Sequence, residues 1–126
     1  MSNMTDSHAT SAEDLALAAH LRETLRAIRK EKLPMTYKAL TKQLDLRPPH
    51  SIHRLTTALE VTMREDVANG VPMIAALVTS RWRGGLPAPG FFALAAALGR
   101  QAGTADEIFY RRELEAAIAH WLAPGK

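Results

Sequence analysis

Along most of this chain, apolar residues recur every three or four positions, the spacing of one buried face of an α-helix. Leu17, Leu21, Leu25 and Ile28 form the first such stripe. Ser11 stands before it as an N-cap, with Asp14 three residues on, and Leu33-Pro34 ends it, so a helix is expected within 11–33. The basic run Arg26, Arg29, Lys30 and Lys32 would then lie at its C-terminal end, where the helix dipole favours cations. Thr36 caps a short second helix over 37–44, with Tyr37, Leu40 and Leu44 facing inward. The stretch Asp45-Leu46-Arg47-Pro48-Pro49 cannot continue it, because each proline lacks an N–H and disfavours helical geometry before it. Ser51 caps a third helix to Ala68, closed by Asn69-Gly70. Its inward stripe reads Ile52, Leu55, Leu59, Met63 and Val67, and its opposite face His53, Arg54, Thr57, Val61 and Arg64.

The pattern changes after Gly70. Residues 71–80 are apolar and uncharged, and 73–80 read as a buried strand. Gly84-Gly85 supplies a hairpin turn, and Pro87 and Pro89 limit the returning strand to an edge. A short apolar helix follows over 91–99. Thr104-x-x-Glu107 is a capping box for a last helix over 105–122, with Tyr110, Leu114, Ile118 and Trp121 inward. Residues 1–10 are small and polar and read as a disordered tail. The expected fold is mainly α with a small β-hairpin: a winged helix-turn-helix with extra N- and C-terminal helices. It is one domain over 11–126, with its core at 35–90 and flanking helices at 11–33 and 105–122.

Charge sharpens this picture. The net charge is +3, yet residues 22–54 hold nine Lys/Arg against three acids. Residues 81–100 add Arg81, Arg83 and Arg100 with no acid. Such asymmetry makes a local positive field that attracts polyanions, although a solvated helix face has the same composition. The chain has no cysteine, which removes disulfides, thiol nucleophiles and cysteine-ligated metals. The first 14 residues lack the apolar centre of a signal peptide, and no apolar stretch approaches the roughly 20 residues of a membrane span. A cytoplasmic protein is expected.

A recognition helix enters the major groove with its N-terminal end near the base edges, while the preceding helix crosses the backbone. The third helix, over 51–68, offers His50, Ser51, His53, Arg54 and Thr57 at that end. Arg54 has the fork that donates two bonds to guanine, and Ser51 or His53 can reach a base or a phosphate. Lys38 and Lys42, one turn apart, and Arg47 in the turn suit phosphates. In the wing, over 81–90, Arg81 and Arg83 suit a narrow minor groove, and Trp82 suits stacking or covering the sheet edge. The partner implied is double-stranded DNA.

Thr36-Tyr37-Lys38-Ala39-Leu40, Pro48-Pro49, Ile52-His53-Arg54-Leu55, Val71-Pro72 and Gly85-Leu86-Pro87 together resemble the winged-helix DNA-binding domain of the alkylguanine-DNA alkyltransferases and alkyltransferase-like proteins. The resemblance covers 35–90. It implies their docking mode, with Arg54 matching the arginine that takes the place of an extruded base. It does not imply alkyl transfer. Met73-Ile74 stand where the nucleophilic cysteine is expected, and Ala75-Ala76 replace the His-Arg pair that follows it.

No other chemistry is visible. His50-x-x-His53 has ligand spacing but no third ligand. Glu65-Asp66 and Asp106-Glu107 are adjacent pairs that diverge by about 100° on a helix. Gly84-Gly85 fits neither phosphate-binding glycine pattern. The reading is a non-enzymatic DNA-binding protein without cofactor or metal. The alternative is a protein–protein interaction module or dimerising adaptor, built on the same fold through its first and last helices or Phe91-Phe92.

Overall fold

A computed structural model describes residues 11–80, 84–101, 103 and 105–122. The chain is mainly helical. Among the described residues there are five α-helices, α1 (Ala12–Ala27), α2 (Tyr37–Gln43), α3 (Ser51–Ala68), α4 (Pro89–Ala97) and α5 (Asp106–Trp121), and two short strands, β1 (Met35–Thr36) and β2 (Val78–Thr79). The strands pair in parallel, with Met35 opposite Val78 and Thr36 opposite Thr79. Single 3-10 turns occupy Lys30–Lys32 and Ile74–Leu77. One apolar core draws on all five helices and on 73–78.

Local chemistry explains most boundaries. The Ser11 hydroxyl accepts the Asp14 N–H at 3.0 Å to start α1, and the Thr36 hydroxyl accepts the Ala39 N–H at 3.1 Å to start α2. Three helices close with the paired bonds of a Schellman turn. After α2, Asp45 donates to the Lys42 carbonyl and Leu46 to that of Thr41. After α3, Gly70 donates to Val67 and Val71 to Asp66. After α4, Gly99 donates to Ala96 and Arg100 to Ala95. The turn-forming residue is left-handed in each case, with φ of 56° at Asp45, 68° at Gly70 and 83° at Gly99.

Several expectations are corrected. The first helix ends at Ala27, so Arg29, Lys30 and Lys32 lie beyond its last turn. Ser51 is not the cap of α3. His50 holds that position, with φ 69° and no side-chain capping bond. Ile52 points outward and is 45% exposed, whereas Val61 on the supposed outer face is buried. The core ends between Ile52 and Leu55, because the first turn of α3 projects past it. Glu113 and Ala117 join Tyr110 as buried residues of α5, while Leu114, Ile118 and Trp121 are only partly covered. Thr104 of the expected capping box lies outside the described residues.

The expected strand over 73–80 is a 3-10 turn followed by two strand residues, and no returning strand forms among the described residues after Gly84-Gly85. Pro89 instead opens α4, where its fixed φ and missing N–H suit the first helical position. The Ser80 N–H donates to the Leu86 carbonyl at 2.8 Å. The sheet is therefore a parallel pair and not a hairpin. Its other strand, β1, has no signal of its own in the hydrophobic pattern.

Side chains, not a ladder, hold the segment entering β2. Residues 73–77 are buried, and a buried amide or carbonyl must find a partner. Asp66 of α3 accepts the Ile74 N–H at 2.9 Å, and Glu113 of α5 accepts the Met73 N–H at 2.7 Å. The Tyr110 hydroxyl donates to the Ala76 carbonyl at 2.9 Å, and the Trp121 indole donates to the Pro72 carbonyl at 2.7 Å. Arg100 bridges Glu113 and the Val71 carbonyl, at 2.8 and 3.0 Å. Arg22 of α1 reaches both Asp66 and Glu65 at 2.9 Å. Burial pushes the Asp66 carboxyl above its ordinary range, against the pull of the Ile74 N–H and Arg22. Burial, helped by Tyr37, also pushes the Tyr110 hydroxyl well above the usual phenol range, which keeps its proton available to Ala76.

Candidate nucleic-acid interface

Two helices carry the candidate surface. α2 turns Leu40 and Thr41 inward and packs on α3, which leaves Lys38 and Lys42 exposed one turn apart. Seven residues, 44–50, join Gln43 to Ser51. That is longer than the three or four of a minimal helix-turn-helix turn. Asp45 and His50, the two non-glycine residues with positive φ among the described residues, sit near the ends of this connection. His50, His53 and Arg54 are exposed, while Ser51 and Thr57 are half-buried.

Positive charge predominates on this surface, with Asp45 as the acid of the 44–50 connection. Among the described residues, Lys38, Lys42, His50, His53 and Arg54 make no ion pair. Arg47 meets Asp45 at 3.7 Å, a pair so exposed that it leaves both groups largely hydrated. The first turn of α3 contains no acid. His50 supplies no capping side-chain bond, so the partial positive pole of the helix N-terminus is not offset there by a side-chain cap. Glu60 and Glu65 stand farther along α3, where Glu60 approaches Arg64 at 3.9 Å and Glu65 holds Arg22.

Other members of the basic run are already engaged. Arg22 is drawn to Asp66 and Glu65, and its guanidinium lies 4.9 Å from the Trp121 ring. Arg26 stands 5.8 Å from the same ring, and Arg29 pairs with Glu31 at 3.1 Å. Arg22 and Arg26 therefore serve packing between α1, α3 and α5, and Arg29 is held locally by Glu31. The threonines of α3 are also committed in part. The Thr56 hydroxyl donates to the Ile52 carbonyl at 2.9 Å and the Thr57 hydroxyl to the His53 carbonyl at 3.0 Å. Thr57 keeps only acceptor capacity for a ligand.

Arg81, Trp82 and Arg83 lie outside the described residues, so the wing contacts expected there have no geometry to report. Among the described residues, no cluster of three or more His, Asp or Glu side chains is placed to hold a metal ion. No helix among them is long and apolar enough to cross a membrane. Sequence reasoning missed the outward turn of Ile52, the one large apolar side chain in the exposed first turn of α3. No family model, no characterised protein and no solved structure matches the chain.

Proposed function

We propose that the chain is a non-enzymatic DNA-binding protein of winged-helix type, with α3 as its recognition helix and the segment before α4, about 81–88, as its wing. The observation that carries this reading is the group Lys38, Lys42 and Arg54. These are exposed cations on two packed helices, and none has an acidic partner among the described residues. Lys38, Lys42 and Arg47 would hold phosphates of one strand. The uncapped N-terminus of α3 offers N–H groups to a further phosphate. Arg54 and His53 would then face base edges, with Arg54 the candidate for a bidentate bond to guanine or for the place of an extruded base. Arg81, Trp82 and Arg83 would anchor the wing.

The test is binding to a labelled mixed-sequence duplex by fluorescence anisotropy across a salt series. Contacts through several Lys and Arg side chains release counterions, so affinity must fall steeply as salt rises. Absence of binding at low salt would end this reading. A second reading, a protein-interaction or dimerising module, draws on Leu15 of α1 and Ile108 of α5, which are large apolar side chains left exposed on the first and last helices. Sedimentation separates the two: a strict monomer that binds DNA excludes the second.

A further inference from the structure

The first turn of α3 presents more than charge. Ile52 is 45% exposed there, while Leu55, three residues on, is fully buried. Thr56 lies one helical turn after Ile52 on the same side, and its hydroxyl is turned back onto the Ile52 carbonyl at 2.9 Å. With that donor used, this ridge offers outward the Ile52 hydrocarbon and the Thr56 methyl, and no hydroxyl donor. His53 stands about 100° around the helix from Ile52 and Arg54 about 200°, both exposed on the same first turn.

Exposed branched hydrocarbon beside unpaired cations fits a partner that is anionic overall and carries discrete apolar groups. In the major groove of duplex DNA one such group exists, the C5-methyl of thymine. We infer that Ile52 reads a thymine methyl next to the base or phosphate held by Arg54. The surface would thus select sites containing an A·T pair at a fixed step from the Arg54 contact. It would also discriminate against the same site with uracil in place of thymine. This inference rests on the DNA-binding reading above and adds the base class that the helix recognises.

The experiment compares two duplexes of identical mixed sequence, one with thymine and one with deoxyuridine at every such position, against wild type and Ile52→Ala. Removing the methyl deletes one apolar carbon and no hydrogen-bonding group. Each methyl buried against Ile52 is worth about three- to fourfold in affinity. Wild type is expected to bind the thymine duplex more tightly by at least that factor. Ile52→Ala is expected to bind both duplexes equally, because the two deletions remove the same interaction and do not add. Ile52→Leu, which keeps the hydrocarbon, should retain part of the preference. Thermal unfolding of Ile52→Ala checks that the exposed substitution leaves the fold intact. Equal wild-type affinity for the two duplexes overturns the inference and leaves DNA binding standing. So does a thymine preference that persists unchanged in Ile52→Ala. No binding to either duplex at low salt overturns both.

Discussion

Replacing Asp66 by alanine probes how the segment before β2 is held. Asp66 is 1% exposed, and its two oxygens accept from different donors, the Ile74 N–H and Arg22. Alanine leaves the Ile74 N–H buried without an acceptor, which costs about 1–3 kcal/mol. Arg22 loses one partner but keeps Glu65 at 2.9 Å, so its loss is smaller than that of a buried charge left alone. The expected total is about 2–4 kcal/mol, a large part of the roughly 5–15 kcal/mol that typically stabilises a domain. Asparagine keeps an acceptor for Ile74 but removes the charge and the acceptor that faces Arg22, which still holds Glu65. Burial pushes the Asp66 pKa up, so ionisation works against the fold at this site. Asp66→Asn should therefore cost less than alanine, about 1–2 kcal/mol, because the Arg22 bond is lost while the Ile74 N–H keeps its acceptor. Urea unfolding followed by tryptophan fluorescence and far-ultraviolet circular dichroism measures both, with equal slopes required for the comparison. An alanine variant within about 1 kcal/mol of wild type would refute the buried-acceptor account. An asparagine variant as damaged as alanine would show that the charge, not the acceptor, is what the fold needs.

The same carboxyl sets a pH dependence. Its pKa is raised on folding, so its stabilising contribution is complete below the ordinary 3.8 and is lost as pH climbs through the higher native value. Wild type should lose stability relative to Asp66→Asn over that rise, and a gain would mean that Arg22 outweighs burial. Tyr110→Phe removes the donor to the buried Ala76 carbonyl and should cost about 1–2 kcal/mol in urea unfolding; no loss would mean that the carbonyl finds another donor. Arg54→Ala should weaken duplex binding by about 1–3 kcal/mol if it contacts a base edge. Replacing Lys38 and Lys42 together should reduce the slope of log affinity against log salt by about 0.9 for each phosphate no longer neutralised. An unchanged slope would remove both lysines from the interface.

Helix positions are legible in the sequence because their signals are local. The stripe Leu21–Leu25, the Thr36 cap, the Pro48-Pro49 break and the Asn69-Gly70 closure each act within a few residues, and α3 spans Ser51–Ala68 as its periodicity implies. The 73–80 stretch is not legible, for a physical reason. A short, uncharged apolar run suits a buried strand and a buried 3-10 turn equally, and side chains from distant elements decide between them. Asp66 and Ile74 are eight residues apart, Met73 and Glu113 forty, and Arg22 and Asp66 forty-four. No periodicity encodes such pairings. For the same reason, the density of charge over 22–54 does not separate Arg22 and Arg26, which pack on Trp121, from Lys38 and Arg54, which face solvent. Ile52 escapes its expected place because helical periodicity gives direction around an axis but not where along it the core stops.

Thr36 belongs to two structures at once. It pairs with Thr79 in the parallel sheet, and its hydroxyl starts α2, the helix that carries Lys38 and Lys42. The strand containing Thr79 is in turn aimed by the clamps that Asp66, Tyr110 and Glu113 place on the residues before it. The final helix thus works as a strut for a surface it does not belong to. Loosening α5 would shift the start of α2 through two threonines and a pair of hydrogen-bonded strands. If the α2–α3 surface binds DNA as proposed, a change in α5 would reach that binding mechanically, without contact between α5 and the DNA.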